Sequence, residues 1–212
     1  MLRYARTIFL SIVLAFFTFL MLRITIPYFS RNTDVGFLRI KQWVIHNDVW
    51  RIAFFTHVWS SCFLLIAGFT QFYNPLKQKL STLHRYVGLL YLVILVFLSG
   101  PAGLIMALYA NGGLLSQSAF TLLSVLWIYF TVRAYVAILW RDFTTHGNFM
   151  IRSYALTLSA LTLRAWKYLL VMFFQPHPMD AYMIVAWLGW VPNLLLAEWL
   201  IYRKLTWRIL SA

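Results

Sequence analysis

Long apolar runs separated by short polar turns constrain this chain more than any other feature. They fall at about Thr7 to Phe29, Val49 to Tyr73, His84 to Tyr109, Ser118 to Trp140, Phe149 to Phe174 and Ala181 to Tyr202. A helix rises about 1.5 Å per residue, so about 20 apolar residues cross a hydrocarbon core about 30 Å thick. Six such runs use up most of the 212 residues and leave almost no length for a soluble domain. Because lipid cannot satisfy backbone polar groups, runs of this length must be helical. The expected fold is therefore all-α, a single transmembrane domain over residues 1–212. The connectors agree: Asn74-Pro75, Asn111-Gly112-Gly113, Gly147-Asn148 and Gln175-Pro176-His177-Pro178 are turn chemistry. Only residues 30–48 form a long connector, and Phe37, Leu38, Ile40, Trp43, Val44 and Ile45 among Arg39, Lys41 and Gln42 suit a short amphipathic helix in the interface.

Composition removes the soluble classes. With 62% hydrophobic and 11% charged residues, the chain is too apolar to dissolve as a globular domain. The formal charge of +13 would suggest nucleic acid in a soluble protein. Here the basic residues flank the apolar runs, so the expected partner is membrane lipid and not nucleic acid. Arg3, Arg6, Lys77, Lys79, Arg85, Arg141, Arg152, Arg203, Lys204 and Arg208 gather on one side, against Arg31, Arg39, Lys41 and Arg51 on the other. The positive-inside rule then puts both termini in the cytoplasm, with a bacterial inner membrane as the expected location. Trp43, Trp50, Trp140, Trp207, Tyr73 and Tyr109 fall near the expected boundaries, where amphipathic rings settle. The first run is read as a retained helix, since no small-residue cleavage site follows it. The single cysteine, Cys62, excludes an intrachain disulfide. No glycine-rich phosphate loop, Gly-x-Ser-x-Gly or His-Glu-x-x-His occurs.

Polar groups at membrane depth are costly and so informative. Arg133 lies in the fourth run, Arg164 and Lys167 in the fifth, and Asn193 and Glu198 in the sixth. Arg133 and Glu198 share a depth, so an ion pair between them is expected, either as a packing clamp or as part of a proton or anion path. Arg164 and Lys167 have no acidic partner in view, which suits a lipid headgroup, a haem propionate or a quinone oxygen.

Of the histidines, His46 and His177 belong to loops, and His57, His84 and His146 carry more information. Steps of three or four residues from His57 meet Ser61, Leu64, Gly68 and Gln71, a small and polar stripe expected to face the bundle. From His84 they meet Gly88 and Tyr91, and a glycine one turn deeper leaves room for a flat ligand. From His146, if the helix reaches back past Gly147-Asn148, they meet Met150, Ser153, Thr157, Ala160 and Arg164. His84 and His146 fall on the same side, and two imidazoles can ligate a haem iron, with Arg85 and Arg152 available to its propionates. The plainer alternative is that they bond headgroups or loop carbonyls.

The string from His57 through Gly68-Phe69-Thr70-Gln71-Phe72, then Leu83-His84-Arg85-Tyr86-Val87-Gly88-Leu89-Leu90-Tyr91, then His146-Gly147-Asn148-Phe149-Met150-Ile151-Arg152-Ser153-Tyr154 resembles the predicted membrane proteins of domain of unknown function 2306. That name implies no activity. A fainter likeness is to the cytochrome b561 group, whose four central helices hold two haems between histidine pairs. It implies that His84 and His146 match one pair and that His57 matches half of the other. The fourth run has no histidine, so the likeness implies a single haem.

The leading expectation is a membrane redox protein that binds haem b through His84 and His146 and exchanges electrons with a quinone or a membrane partner. A second is a non-catalytic accessory or assembly subunit of a membrane complex, binding lipid or partner helices. A third is a small transporter or proton path through Arg164, Lys167, Asn193 and Glu198, with Pro101 and Pro192 as helix irregularities.

Overall fold

The computed structural model describes residues 2–30, 32–72 and 81–203; Arg31, Tyr73, Lys77, Lys79, Lys204, Trp207 and Arg208, used above for depth and orientation, lie outside them. Every regular element among the described residues is a helix. Helix α1 covers Leu2–Thr25 and runs into a 3₁₀ turn, Ile26–Ser30. Helix α2 covers Asp48–Phe72. Helix α3 begins as Ser81–Ile94, passes through a π-helical turn, Leu95–Ser99, and continues as Gly100–Leu108. Helices α4 (Gly113–Leu139), α5 (Phe143–Thr157), α6 (Ser159–Phe174), α7 (Pro178–Leu188) and α8 (Val191–Tyr202) follow.

Four helical stretches among the described residues are long and apolar enough to cross a bilayer: Asp48–Gly68, Thr82–Leu108, Gly113–Leu139 and Pro178–Tyr202. The bent pair α5 and α6, which meet at 42°, makes a fifth if it is one broken span. The described apolar part of the first run, Ala15–Ser30, is shorter than a crossing. The expected six spans, and the orientation derived from them, therefore rest on the sequence pattern.

The irregularities have local causes. Pro101 has no N–H, and the helix yields just before it by widening to a π turn in which the Gly100 N–H reaches back to the Leu95 carbonyl. Pro192 similarly follows the break between α7 and α8. At the α5/α6 break the Thr157 hydroxyl bonds back to the Ser153 carbonyl at 3.1 Å, a competition with the backbone ladder that favours a bend. These last two breaks face each other. Thr162 donates to the Gly189 carbonyl at 2.5 Å, and the Asn193 amide donates to Thr162 Oγ1 at 2.9 Å and to the Ala155 carbonyl at 3.1 Å.

The main core gathers Leu64, Ala67, Tyr91, Leu95, Trp127, Phe130, Leu156 and Trp190 from α2, α3, α4, α5 and the α7/α8 junction. A second cluster of Tyr28, Leu38, Val44, Ile45, Trp50 and Phe54 packs the long connector onto the end of the bundle. That connector holds a 3₁₀ helix, Gly36–Lys41, in place of the expected interfacial helix. Leu38 and Lys41 are buried against the protein, while Ile40 and Trp43 stay exposed.

Lys41 is 1% exposed, and its Nζ donates to the Tyr109 carbonyl and to Asn111 Oδ1 at 2.7 Å, with the Trp43 ring centroid 5.3 Å away. Burial lowers its pKa from 10.5 to about 8. The unfolded chain holds this proton to higher pH than the folded one, so the cost of burying the charge is fully present below pH 8 and is relieved as pH rises toward 10.5. Thermal unfolding of the detergent-solubilised protein is expected to show a stability gain between these two values that Lys41→Met lacks.

Candidate functional site

The site is a column of polar groups enclosed by α2, α3, α4 and α5. At its middle the Tyr91 hydroxyl lies 3.0 Å from Ser153 Oγ and 2.8 Å from Thr157 Oγ1. Trp127 Nε1 donates to Thr157 Oγ1 at 3.0 Å, and Thr131 Oγ1 lies 2.7 Å from Ser153 Oγ while donating to the Trp127 carbonyl. With the bond from Thr157 to the Ser153 carbonyl, six contacts share five hydrogens, those of four hydroxyls and one indole. No single proton arrangement therefore fills all six contacts at once.

Toward one end, His57 Nδ1 meets the Ser99 carbonyl at 2.8 Å, and Ser61 meets the Ser99 hydroxyl at 2.6 Å. The π turn presents Ser99 to α2 in this way. The His57 ring stands edge-on to Trp127 at 6.3 Å, and a Cβ on Gly103 would come within 3.1 Å of it. His57 is thus a packed member of the column. The rest of its stripe also faces inward: Leu64 is core, Gly68 abuts the Tyr154 ring, and Gln71 donates to the His84 carbonyl at 3.2 Å.

Toward the other end lie His84 and His146. Asp142 caps α5 by accepting from the Thr145 N–H at 2.9 Å, so the helix starts at Phe143 and carries Gly147 and Asn148 inside it. His146 therefore belongs to the same continuous helix as Met150, Ser153 and Thr157, whereas Ala160 and Arg164 of its stripe lie beyond the bend on α6. Successive crossings alternate in direction, which makes α3 and α5 parallel. His84 and His146 each lie seven residues before the partners in the Tyr91–Ser153 contact. Seven residues are close to two helical turns, about 10.5 Å, and return to nearly the same face. The register thus sets His84 and His146 about two turns from that contact on α3 and α5.

His146 Nδ1 lies 2.9 Å from the Ala134 carbonyl. A carbonyl only accepts, so Nδ1 carries the hydrogen of this bond. Gly88 does not leave open space: a Cβ there would lie 3.0 Å from Gln71 Oε1. Gln71 bounds the histidine level on its inner side.

The expected pair of Arg133 with Glu198 is replaced by another. Arg152 forms a two-pronged bond with Glu198, Nε to Oε1 at 2.5 Å and Nη2 to Oε2 at 2.8 Å, and its guanidinium lies 5.0 Å from the Phe149 ring centroid. Arg133 instead lies over the rings of Phe149 at 5.3 Å and Tyr129 at 6.0 Å. Arg85 and Lys167 are exposed, and Arg164 bonds the Ala160 carbonyl of its own helix at 2.5 Å. Asn193 braces the helix breaks, so Arg164, Asn193 and Glu198 each bond a different partner.

Sequence reasoning found Tyr91, Ser153 and Thr157 on their stripes but missed Trp127 and Thr131. Their signal was a small and polar series on α4, Ser124, Trp127, Thr131 and Ala134, all buried. The charge of Arg133 outweighed it in the reading of that run.

The sequence model of the family described as predicted membrane proteins, domain of unknown function 2306, matches residues 54–201. The chain belongs to this family. No curated protein and no solved structure matches the chain. The family segment holds the whole polar column, both motif histidines and the Arg152–Glu198 pair, whereas the Lys41 cap precedes it.

Proposed function

We propose that this member of the family is a membrane redox protein that holds a b-type haem through His84 and His146 and exchanges electrons with a quinone or a membrane partner. The register supports the reading: His84 and His146 each stand seven residues before a partner in the Tyr91–Ser153 contact. The contact of His146 with Ala134 supports it, because a ring nitrogen held by a carbonyl fixes the orientation of the imidazole. When bound, haem supplies one-electron chemistry. The chain's own residues do the rest. Ala134 fixes the His146 ring, Gln71 bounds the space from the polar column, and exposed Arg85 supplies a cation next to His84 for a propionate. Arg152 is engaged by Glu198 and is not assigned to a propionate.

Replacing the three histidines singly tests the assignment. His84→Leu and His146→Leu are each expected to abolish haem content in a pyridine haemochrome assay, while His57→Leu retains it. Retention by both His84→Leu and His146→Leu, or loss confined to His57→Leu, contradicts the reading.

A further inference from the structure

A cavity of about 360 Å³ opens where α4 hands over to α5, lined by Arg133, Val136, Ala137, Trp140, Asp142 and Thr145. Its size falls within the range of about 300–1,000 Å³ typical of small-molecule sites. Arg133 is six residues before the end of α4, about 9 Å along the axis. That is the depth from which an arginine can reach the headgroup layer while its stem stays among acyl chains. The face around it is apolar and exposed, with Val132, Val136, Leu139, Trp140 and Phe143 turned outward. Lipid is what an outward apolar face of a spanning helix meets.

Two charges of opposite sign line this cavity. Among the described residues Arg133 has no carboxylate within ion-pair distance. Its guanidinium lies over Phe149 and Tyr129, a contact that uses the flat face of the cation. Its N–H edge is the part that binds phosphate. Asp142 is exposed at the helix start. The Thr145 hydroxyl and N–H hold its carboxyl below the usual range, so it is an anion at neutral pH. Trp140, 82% exposed, is the side chain suited to the boundary between headgroup and acyl chain.

We infer that this cavity is a lipid-binding site selective for a zwitterionic phosphoethanolamine headgroup, its phosphate on Arg133 and its ammonium on Asp142. A phosphate with an uncharged tail would leave Asp142 unpaired beside it. A quaternary ammonium would reach Asp142 without a hydrogen to donate.

Native mass spectrometry of the full chain, released from nanodiscs holding equal parts phosphatidylethanolamine, phosphatidylglycerol and phosphatidylcholine, tests this. Phosphatidylethanolamine is expected to be the retained adduct. Asp142→Asn keeps a good helix cap, so α5 persists, but the preference over phosphatidylglycerol should fall about tenfold, the worth of a hydrogen bond to a charged group. Arg133→Gln should release both phospholipids. Equal retention of the three lipids by the parent chain, or a preference unchanged in Asp142→Asn with helix content intact by circular dichroism, overturns the proposal. So does displacement of the adduct by millimolar free O-phosphoethanolamine, which would make the ligand a soluble headgroup and not a lipid.

Discussion

Gly68→Ala is expected to destabilise the bundle by about 2 kcal/mol, although alanine is the better helix former by about 1 kcal/mol. The reason is the closeness of α2 to α5 at this point. A methyl on Gly68 would overlap the ring of Tyr154 at Cε2, Cζ and the hydroxyl. The ring cannot swing aside cheaply, because it is buried and its hydroxyl donates to the Leu65 carbonyl at 3.0 Å. Overpacking at a rigid contact costs about 3 kcal/mol, which outweighs the gain in propensity. Thermal unfolding in detergent should show a lower midpoint for Gly68→Ala and partial recovery in the double variant with Tyr154→Leu. A neutral Gly68→Ala would mean that the two helices are free to part.

The Arg152–Glu198 pair gives the second large effect. Removing one member of a fully buried pair costs about 3–5 kcal/mol because a charge is left without its partner. Here Arg152 is 19% exposed and Glu198 44%, so water softens the loss, and Glu198→Leu is expected to cost about 2 kcal/mol. The double variant with Arg152→Leu should recover most of that cost, since no lone charge remains. A double-mutant cycle between Glu198 and Arg133 should instead be additive within about 0.5 kcal/mol. Coupling of Glu198 to Arg133, with none to Arg152, would restore the pairing expected from depth alone.

That exchange of partners shows what the sequence could and could not carry. Apolar run length and turn residues found the helical regions of residues 48–202, because lipid imposes one period on every crossing. Helices α4 and α5 begin earlier than expected, at Gly113 and Phe143, and the breaks at Leu158 and Gly189 left no mark in run length. Helical spacing placed the His57 stripe on an inward face without any knowledge of neighbours. Pairing is different. Arg133 and Arg152 lie on adjacent helices, and only the packing of α8 against α5 decides which one Glu198 meets. Gly147-Asn148 read as a turn because local propensity outvoted the Asp142 cap, which becomes persuasive only once its bond to Thr145 is seen. Lys41 read as a polar residue of an amphipathic interfacial helix, and its burial depends on the Tyr109 carbonyl, distant in the chain. The flat space read from Gly88 vanished for the same reason: its occupant, Gln71, comes from another helix.

Haem between His84 and His146 is the central claim, and absorption spectroscopy tests it most directly. The full chain, expressed with added haem precursor and purified in mild detergent, is predicted to show a Soret band that shifts on dithionite reduction, with one haem per chain. A colourless, monodisperse and fully helical protein that stays colourless when titrated with haemin would contradict it.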